Sequence, residues 1–269
     1  MNQERRTAAT ASYGAWVAGL ALAAERSRVN LVSLPTVTST NDLARRVVAD
    51  YLDDQRLPRR SLLAAWEQTA GRGRRGRSWS SPAGHGLYAT WIEPLIESRL
   101  RERLPLIVAI ALADGVRELI DAPCAVKWPN DLMVERRKIG GILIDVVDRQ
   151  EVGAVALIGF GVNYSHPPST LPRRPATSLV ECGEAPGLDV VCQTLIERLA
   201  NALMTSVGME DLVQRYRRLS LHKEGDQMAV QVGTERLEGA FAGFDAAGKL
   251  RLEVDGEERR IASGEVFDR

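Results

Sequence analysis

The apolar positions of this chain repeat first at helical spacing, then at a mixture of helical and two-residue spacings, and finally at two-residue spacing alone. An Ala-rich run over residues 16–24, behind a charged front, predicts a helical extension across 1–28. Residues 29–34 are strand-like. Ser39, with Asp42 three residues later, then opens a stretch in which Leu43, Val47, Val48, Tyr51 and Leu52 share one helical face, the pattern of a capping box. Short β-like runs at 62–66 and 87–92 bracket a loop over 68–85 that is rich in Gly, Arg and Ser. Residues 104–120 are almost all apolar and too long for a strand, so a buried helix is expected. Four strands follow, at 126–128, 132–135, 139–147 and 152–162, with tight turns between them. The centre of the protein should therefore be a sheet.

Past a proline-rich loop at 167–175, helical spacing returns over 190–207 and again over 212–219. From Met228 onward apolar and polar residues alternate in short runs broken at Gly233, Gly243, Gly248, Gly256 and Gly264, which predicts a small β-barrel. Three parts are expected: the extension at 1–28, a larger α+β domain at 29–220 and the barrel at 221–269. No internal repeat is visible.

Composition narrows the chemistry. With 269 residues, 45% of them hydrophobic and 26% charged, the chain is that of a globular enzyme. Lys+Arg and Asp+Glu number 35 each, so no global charge calls for DNA or a membrane, and electrostatic sites must be local. The apolar run at 16–24 is shorter than the roughly 20 residues of a membrane span, and Glu25 and Arg26 stand where a signal-peptide cleavage site would need small residues. Cys124, Cys182 and Cys192 make an odd set without a C-x-x-C pair, which fits reduced thiols in a cytoplasm. His85, His166 and His222 lie far apart in sequence, so no structural metal is expected.

Four clusters carry candidate chemistry. Gly71-Arg72-Gly73-Arg74-Arg75-Gly76-Arg77 sets four guanidiniums on a glycine-rich backbone, suited to closing over phosphate or carboxylate. No Gly-Lys-Ser/Thr follows, so it is not a Walker loop, and alone it reads equally well as a solvated or RNA-binding basic stretch. Lys127-Trp128-Pro129-Asn130-Asp131 holds three polar side chains at a strand end, stiffened by proline. Lys138-Ile139-Gly140-Gly141 puts a lysine before glycines that permit close approach of a ligand. Gly159-Phe160-Gly161-Val162-Asn163 lacks the third glycine and the helix of a dinucleotide fingerprint. Each of the last three alone reads more simply as a turn or a strand end. Their order is far more specific than any one of them.

That order resembles the biotin protein ligase family, from about residue 32 to the C-terminus, roughly nine tenths of the chain. The resemblance implies a mixed central sheet flanked by helices, like that of class II synthetases, and an SH3-like barrel at 221–269. It also implies ATP-dependent activation of biotin to biotinyl-5'-AMP and transfer to a lysine of a biotin carboxyl carrier protein, commonly that of acetyl-CoA carboxylase, with Mg²⁺ accompanying ATP. Some family members carry a further N-terminal DNA-binding domain of about 60 residues; with fewer than 30 residues ahead of the core here, the resemblance leads one to expect no repressor function. Members of this kind often dimerise through sheet edges. Lipoate protein ligase is the nearest alternative, but its loop lacks the Arg-Gly alternation. A nonenzymatic adenylate- or RNA-binding protein is a second alternative, and it would need neither Lys138 nor Asn130 and Asp131.

By resemblance, Lys138 bridges carboxylate and phosphate, and Arg72, Arg74 and Arg77 close over the adenylate. The biotin site takes Ser39, Thr40, Asn41, Gln68, Gly71, Arg72, Arg74, Lys138, Gly141, Leu143, Gly159 and Gly161. The ATP site adds Arg77, Trp79, Lys127, Asn130 and Asn163, the two asparagines orienting phosphate or Mg²⁺. Asp131 is the candidate to position or deprotonate the acceptor amine, with Arg74 and Lys138 completing the catalytic set. Glu265 and Arg269 fall near the phosphates or the carrier on a looser match.

Overall fold

The computed structural model describes residues 12–96, 98–167 and 175–268. Much of the expected proline-rich loop, and Arg269, lie outside the described residues.

Helix α1 spans Tyr13–Ser27. Strand β1 (Asn30–Val37) leads into α2 (Thr40–Asp53), capped by Ser39, whose hydroxyl accepts from the Asp42 amide. The capping box forms only halfway, because the Asp42 carboxylate turns outward to Arg72 at 2.5 Å. Strands β2 (Ser61–Gln68) and β3 (Gly86–Pro94) follow. Helix α3 runs Ser98–Leu119 and so begins earlier than its apolar stretch, through a polar first part and Pro105. Next come β4 (Cys124–Lys127), β5 (Asp131–Val134), β6 (Arg137–Arg149) and β7 (Gly153–Asn163). The β5–β6 turn places Glu135 and Arg136 at φ 49° and 61°, a left-handed pair that no Asn-Gly in the sequence announces. Helices α4 (Leu179–Cys182), α5 (Leu188–Met204) and α6 (Met209–Leu219) precede five further strands. The short α4, capped by Ser178, has no periodic pattern to betray it.

The large sheet has the order β1-β2-β3-β7-β6-β5-β4; β1 and β2 are parallel and the other neighbours antiparallel. It is the mixed sheet expected. The alternation of side chains along β7 decides its layering. Ala156, Ile158, Phe160 and Val162 enter the main core with α1, α3, α5 and α6, whereas Val155 and Leu157 face α2 and its Ala44, Val48 and Leu52. Continuing that second parity along β7 gives Gly159, Gly161 and Asn163. The sheet thus loses side chains at Gly159 and Gly161, beside the N-terminus of α2.

The C-terminal strands β8 (Gln227–Val232), β9 (Glu235–Phe244), β10 (Leu250–Val254), β11 (Glu257–Ile261) and β12 (Glu265–Asp268) form an antiparallel sheet ordered β11-β10-β9-β8-β12. This is consistent with an SH3-like fold, but the expected barrel is not closed: among the described residues β11 and β12 do not pair. The reason lies in residues 262–264, which bend away to meet the arginine loop while β12 crosses to β8. Among the described residues no helix is long and apolar enough to cross a membrane.

Candidate active site

A cavity of about 840 Å³ opens where the α2 N-terminus meets the bare part of the sheet. Its floor is set by register: Gly141 pairs with Gly161 and Leu143 with Gly159 across β6 and β7. The space above these glycines is used. A Cβ on Gly159 would overlap the Asn41 amide, and one on Gly161 would come within 2.6 Å of Trp79 Nε1.

At the α2 end, Gln68 Oε1 accepts from the Thr40 amide at 2.8 Å and from the Thr40 hydroxyl at 3.1 Å, while its Nε2 donates to Ser81 Oγ at 2.8 Å. Fully buried Thr90, a residue sequence reasoning missed, donates to Asn41 Oδ1 at 2.5 Å. That bond uses the oxygen and leaves the buried Asn41 Nδ2 without a protein partner; Trp79 Nε1 is the second such donor in the cavity wall. Unmet donors in an otherwise apolar recess are costly unless a ligand supplies acceptors. Only its inward β-strand parity and polarity could have marked Thr90.

The opposite half is cationic. The loop folds as a tight hairpin, with Gly73 N donating to Arg77 O at 2.7 Å and Trp79 N to Gly71 O at 2.8 Å, around a 3₁₀ turn at Arg74–Gly76. Arg75 takes the left-handed φ of 56° at its tip. Arg74 reaches Asn130 Oδ1 at 3.3 Å and Ser263 Oγ at 2.7 Å; Arg75 donates to the Gln231 carbonyl, and Arg77 pairs with Glu265 at 2.8 Å. Burial, and then the neighbouring Arg75, lower the Arg74 pKa, so this guanidinium is short of solvent and gains by meeting an anion.

Lys138 Nζ pairs with Asp131 Oδ1 at 2.6 Å, and the same ammonium stands 5.3 Å from the Trp79 ring centre. Residues 175–177 brace the lysine: its amide donates to Pro175 O, and Thr177 N donates to its carbonyl, both at 2.9 Å. Asn163 Nδ2 donates to Thr177 O and Asn130 Nδ2 to Ile142 O, which fixes both side chains at the cavity wall.

Residues 33–163 match the biotin/lipoate A/B protein ligase family. The bifunctional ligase/repressor BirA of Salmonella typhimurium is 30% identical over 244 residues, covering 88% of this chain and 73% of that protein. The chain belongs to the biotin/lipoate A/B protein ligase family. Another relative, the biotin--[acetyl-CoA-carboxylase] ligase of Mycobacterium tuberculosis, is 30% identical over 213 residues, 76% of this chain and 77% of that one. The structure of the Aquifex aeolicus biotin protein ligase in complex with biotin and ATP has the same fold, with a TM-score of 0.72 and 24% identity over 89% of this chain and 98% of that one.

Within this ligase-family fold, Ser39, Thr40, Asn41, Gln68, Arg72, Arg74, Arg77, Trp79, Asn130, Asp131, Lys138, Gly141, Leu143, Gly159, Gly161 and Asn163 all line the one cavity. Three residues singled out from the sequence, Gly71, Lys127 and Glu265, stand elsewhere. Gly71 sits at the hairpin root, where a Cβ would lie 2.5 Å from the Trp79 carbonyl oxygen. Lys127 faces an adjoining recess of about 100 Å³ shared with Arg136 and Glu265.

Proposed function

We propose that this protein activates biotin with ATP to biotinyl-5'-AMP and transfers the acyl group to a lysine of a biotin carboxyl carrier protein; the Mycobacterium tuberculosis relative is named for joining biotin to acetyl-CoA carboxylase. The observation that carries this reading is one cavity with two unlike halves: a glycine floor beside two unmet donors, and a cationic wall of Arg74, Arg77 and Lys138. The first half suits a ureido ring, whose carbonyl oxygen would accept from an unmet donor and whose two N–H groups would donate to neighbouring side-chain oxygens. The second suits two anions that must meet, whose repulsion at close range is on the order of several kcal/mol.

In the first half-reaction the biotin carboxylate attacks the α-phosphorus of ATP and pyrophosphate leaves. Lys138 gives up Asp131 for the new anions, and Arg74 and Arg77 hold the phosphates. Asn163, with its nitrogen tied to a backbone carbonyl, would offer its oxygen to Mg²⁺, joined by that of Asn130 once Arg74 has left it for the phosphates; the ion would neutralise phosphate charge. In the second half-reaction the lysine amine attacks the acyl carbon and AMP leaves. Asp131, released by Lys138, takes the amine proton.

The division into 1–28, 29–220 and 221–269 is part of this proposal, with one hydrophobic cluster joining all three. The free thiols fit a cytoplasmic setting, and the outer strand β1 is the edge a homodimer would use. Mass spectrometry of a carrier domain incubated with the protein, ATP, Mg²⁺ and either biotin or lipoate tests the whole. A biotin-sized shift on one lysine, lost in Lys138→Ala, supports it. A lipoate shift transfers the reading to the other branch of the family, and no shift with either acid overturns it.

A further inference from the structure

The expectation that the histidines stand apart is corrected by the fold. His85 precedes β3, whose first residue Gly86 pairs with Asn163 at the end of β7. The amides of Tyr164 and Ser165 both donate to the His85 carbonyl oxygen, at 2.8 and 3.2 Å, and the chain then turns through His166 at a φ of 46°. This folds the segment leaving β7 back over the entry to β3. His166 Nδ1 comes to 3.2 Å from His85 Nδ1, and Ser165 Oγ to 2.8 Å from that same His85 nitrogen. The two rings lie 4.7 Å apart, tilted by 80°.

A neutral imidazole Nδ1 carries either one proton or one lone pair. His85 Nδ1 therefore makes one full-strength hydrogen bond and leaves a second close neighbour poorly met. A cation between the three atoms would use a lone pair from each. With metal–nitrogen bonds of about 2.0–2.1 Å, two nitrogens at this spacing subtend an angle of about 100° at the ion, between square and tetrahedral values. His166 is exposed and His85 half-buried, so an ion and its remaining water ligands have access.

We propose that His85, His166 and Ser165 form a binding site for a divalent transition ion of the Ni²⁺, Zn²⁺ and Cu²⁺ class. Imidazole ligands select that class over Mg²⁺ and Ca²⁺. None of the three residues lines the large cavity, so the site is separate from the one that takes ATP. A bound ion would tie the entry of β3 to the segment leaving β7, next to Asn163.

Calorimetric titration of untagged protein with NiCl₂ at neutral pH tests this. The expected result is one equivalent bound, with affinity falling about tenfold or more in His166→Ala and in His85→Asn. Ni²⁺ should raise the Tm of the parent protein and not that of His166→Ala, whose exposed side chain is dispensable for folding. Absence of binding, binding that neither histidine replacement weakens, or binding lost only in Cys182→Ser would overturn the proposal.

Discussion

Replacing Asp131 by Asn separates the two half-reactions. In the protein without substrate, Asp131 holds the Lys138 ammonium at 2.6 Å, with the two side chains 19% and 25% exposed. At an effective dielectric constant of about 20, the attraction at that distance is roughly 6 kcal/mol, most of it cancelled by the desolvation of both ions. Asn keeps the shape and one acceptor, so the net cost is about 1–2 kcal/mol, a fall in Tm of roughly 2–8 °C. Adenylate formation should survive within a few-fold, because Lys138 must leave Asp131 to reach the anions in any case. Transfer should fall by about 10²–10⁴, the usual worth of a general base. The residual transfer rate should climb with pH toward the acceptor amine's pKa near 10.4, since the spontaneously deprotonated amine is then the only nucleophile. Single-turnover formation of biotinyl-5'-AMP, followed by chase with carrier, reads both steps. Normal transfer across pH, or a parallel fall in both steps, would refute the assigned roles.

Gly159→Ala should weaken biotin binding by about 1–3 kcal/mol, because the added methyl drives Asn41 from its place against Thr90; calorimetry reads it, and unchanged affinity would remove biotin from that floor. Glu265→Gln, which unfastens Arg77 from the C-terminal sheet, should hasten tryptic cleavage within 72–77, and biotin with ATP should slow it again; equal rates in all conditions would show that the loop does not tighten on ligand. Burial pushes the Cys124 thiol up to about 12 and raises that of Cys192 still further, whereas Cys182 is partly exposed. Iodoacetamide near pH 8 should therefore label Cys182 alone in the folded protein, as peptide mapping will show. Unfolding frees the two buried thiols to ionise near their ordinary pKa of about 8.5, so stability should fall as pH rises from there towards 12.

Much of this architecture was legible because its signals are local. Ser39 announced the start of α2, the two-residue rhythm announced β6 and β7, and the four charged or glycine-rich clusters met in one cavity because strand ends gather where helices stop. What stayed hidden depends on partners distant in sequence. Thr90 reads as one more strand residue until Asn41 is laid against it, 49 positions away. Lys138 and Asp131 read as two separate motifs until the β5–β6 hairpin folds them into a pair. The open C-terminal sheet was missed because alternation predicts strands and says nothing about which edges close. The histidine pair was missed for the same reason: 81 positions separate residues that one backbone turn makes neighbours.

The order of strands in the large sheet also divides the site's residues along the chain. Lys127, Asp131, Lys138, Gly159 and Asn163 all sit on the single antiparallel meander β4 to β7, whereas Ser39, Thr40, Asn41, Gln68 and the arginine hairpin belong to the segment that begins with the parallel β1–β2 pair. Within the sheet the two are joined by the nine residue pairs of β3 with β7, and above it by Asn41 and Trp79 lying over Gly159 and Gly161. Each half of the pocket draws on both stretches: the glycine floor comes from β6 and β7 beneath Asn41, and Arg74 and Arg77 stand across from Lys138. A slip in the register of β3 against β7 would therefore disturb acid selection and acyl transfer together.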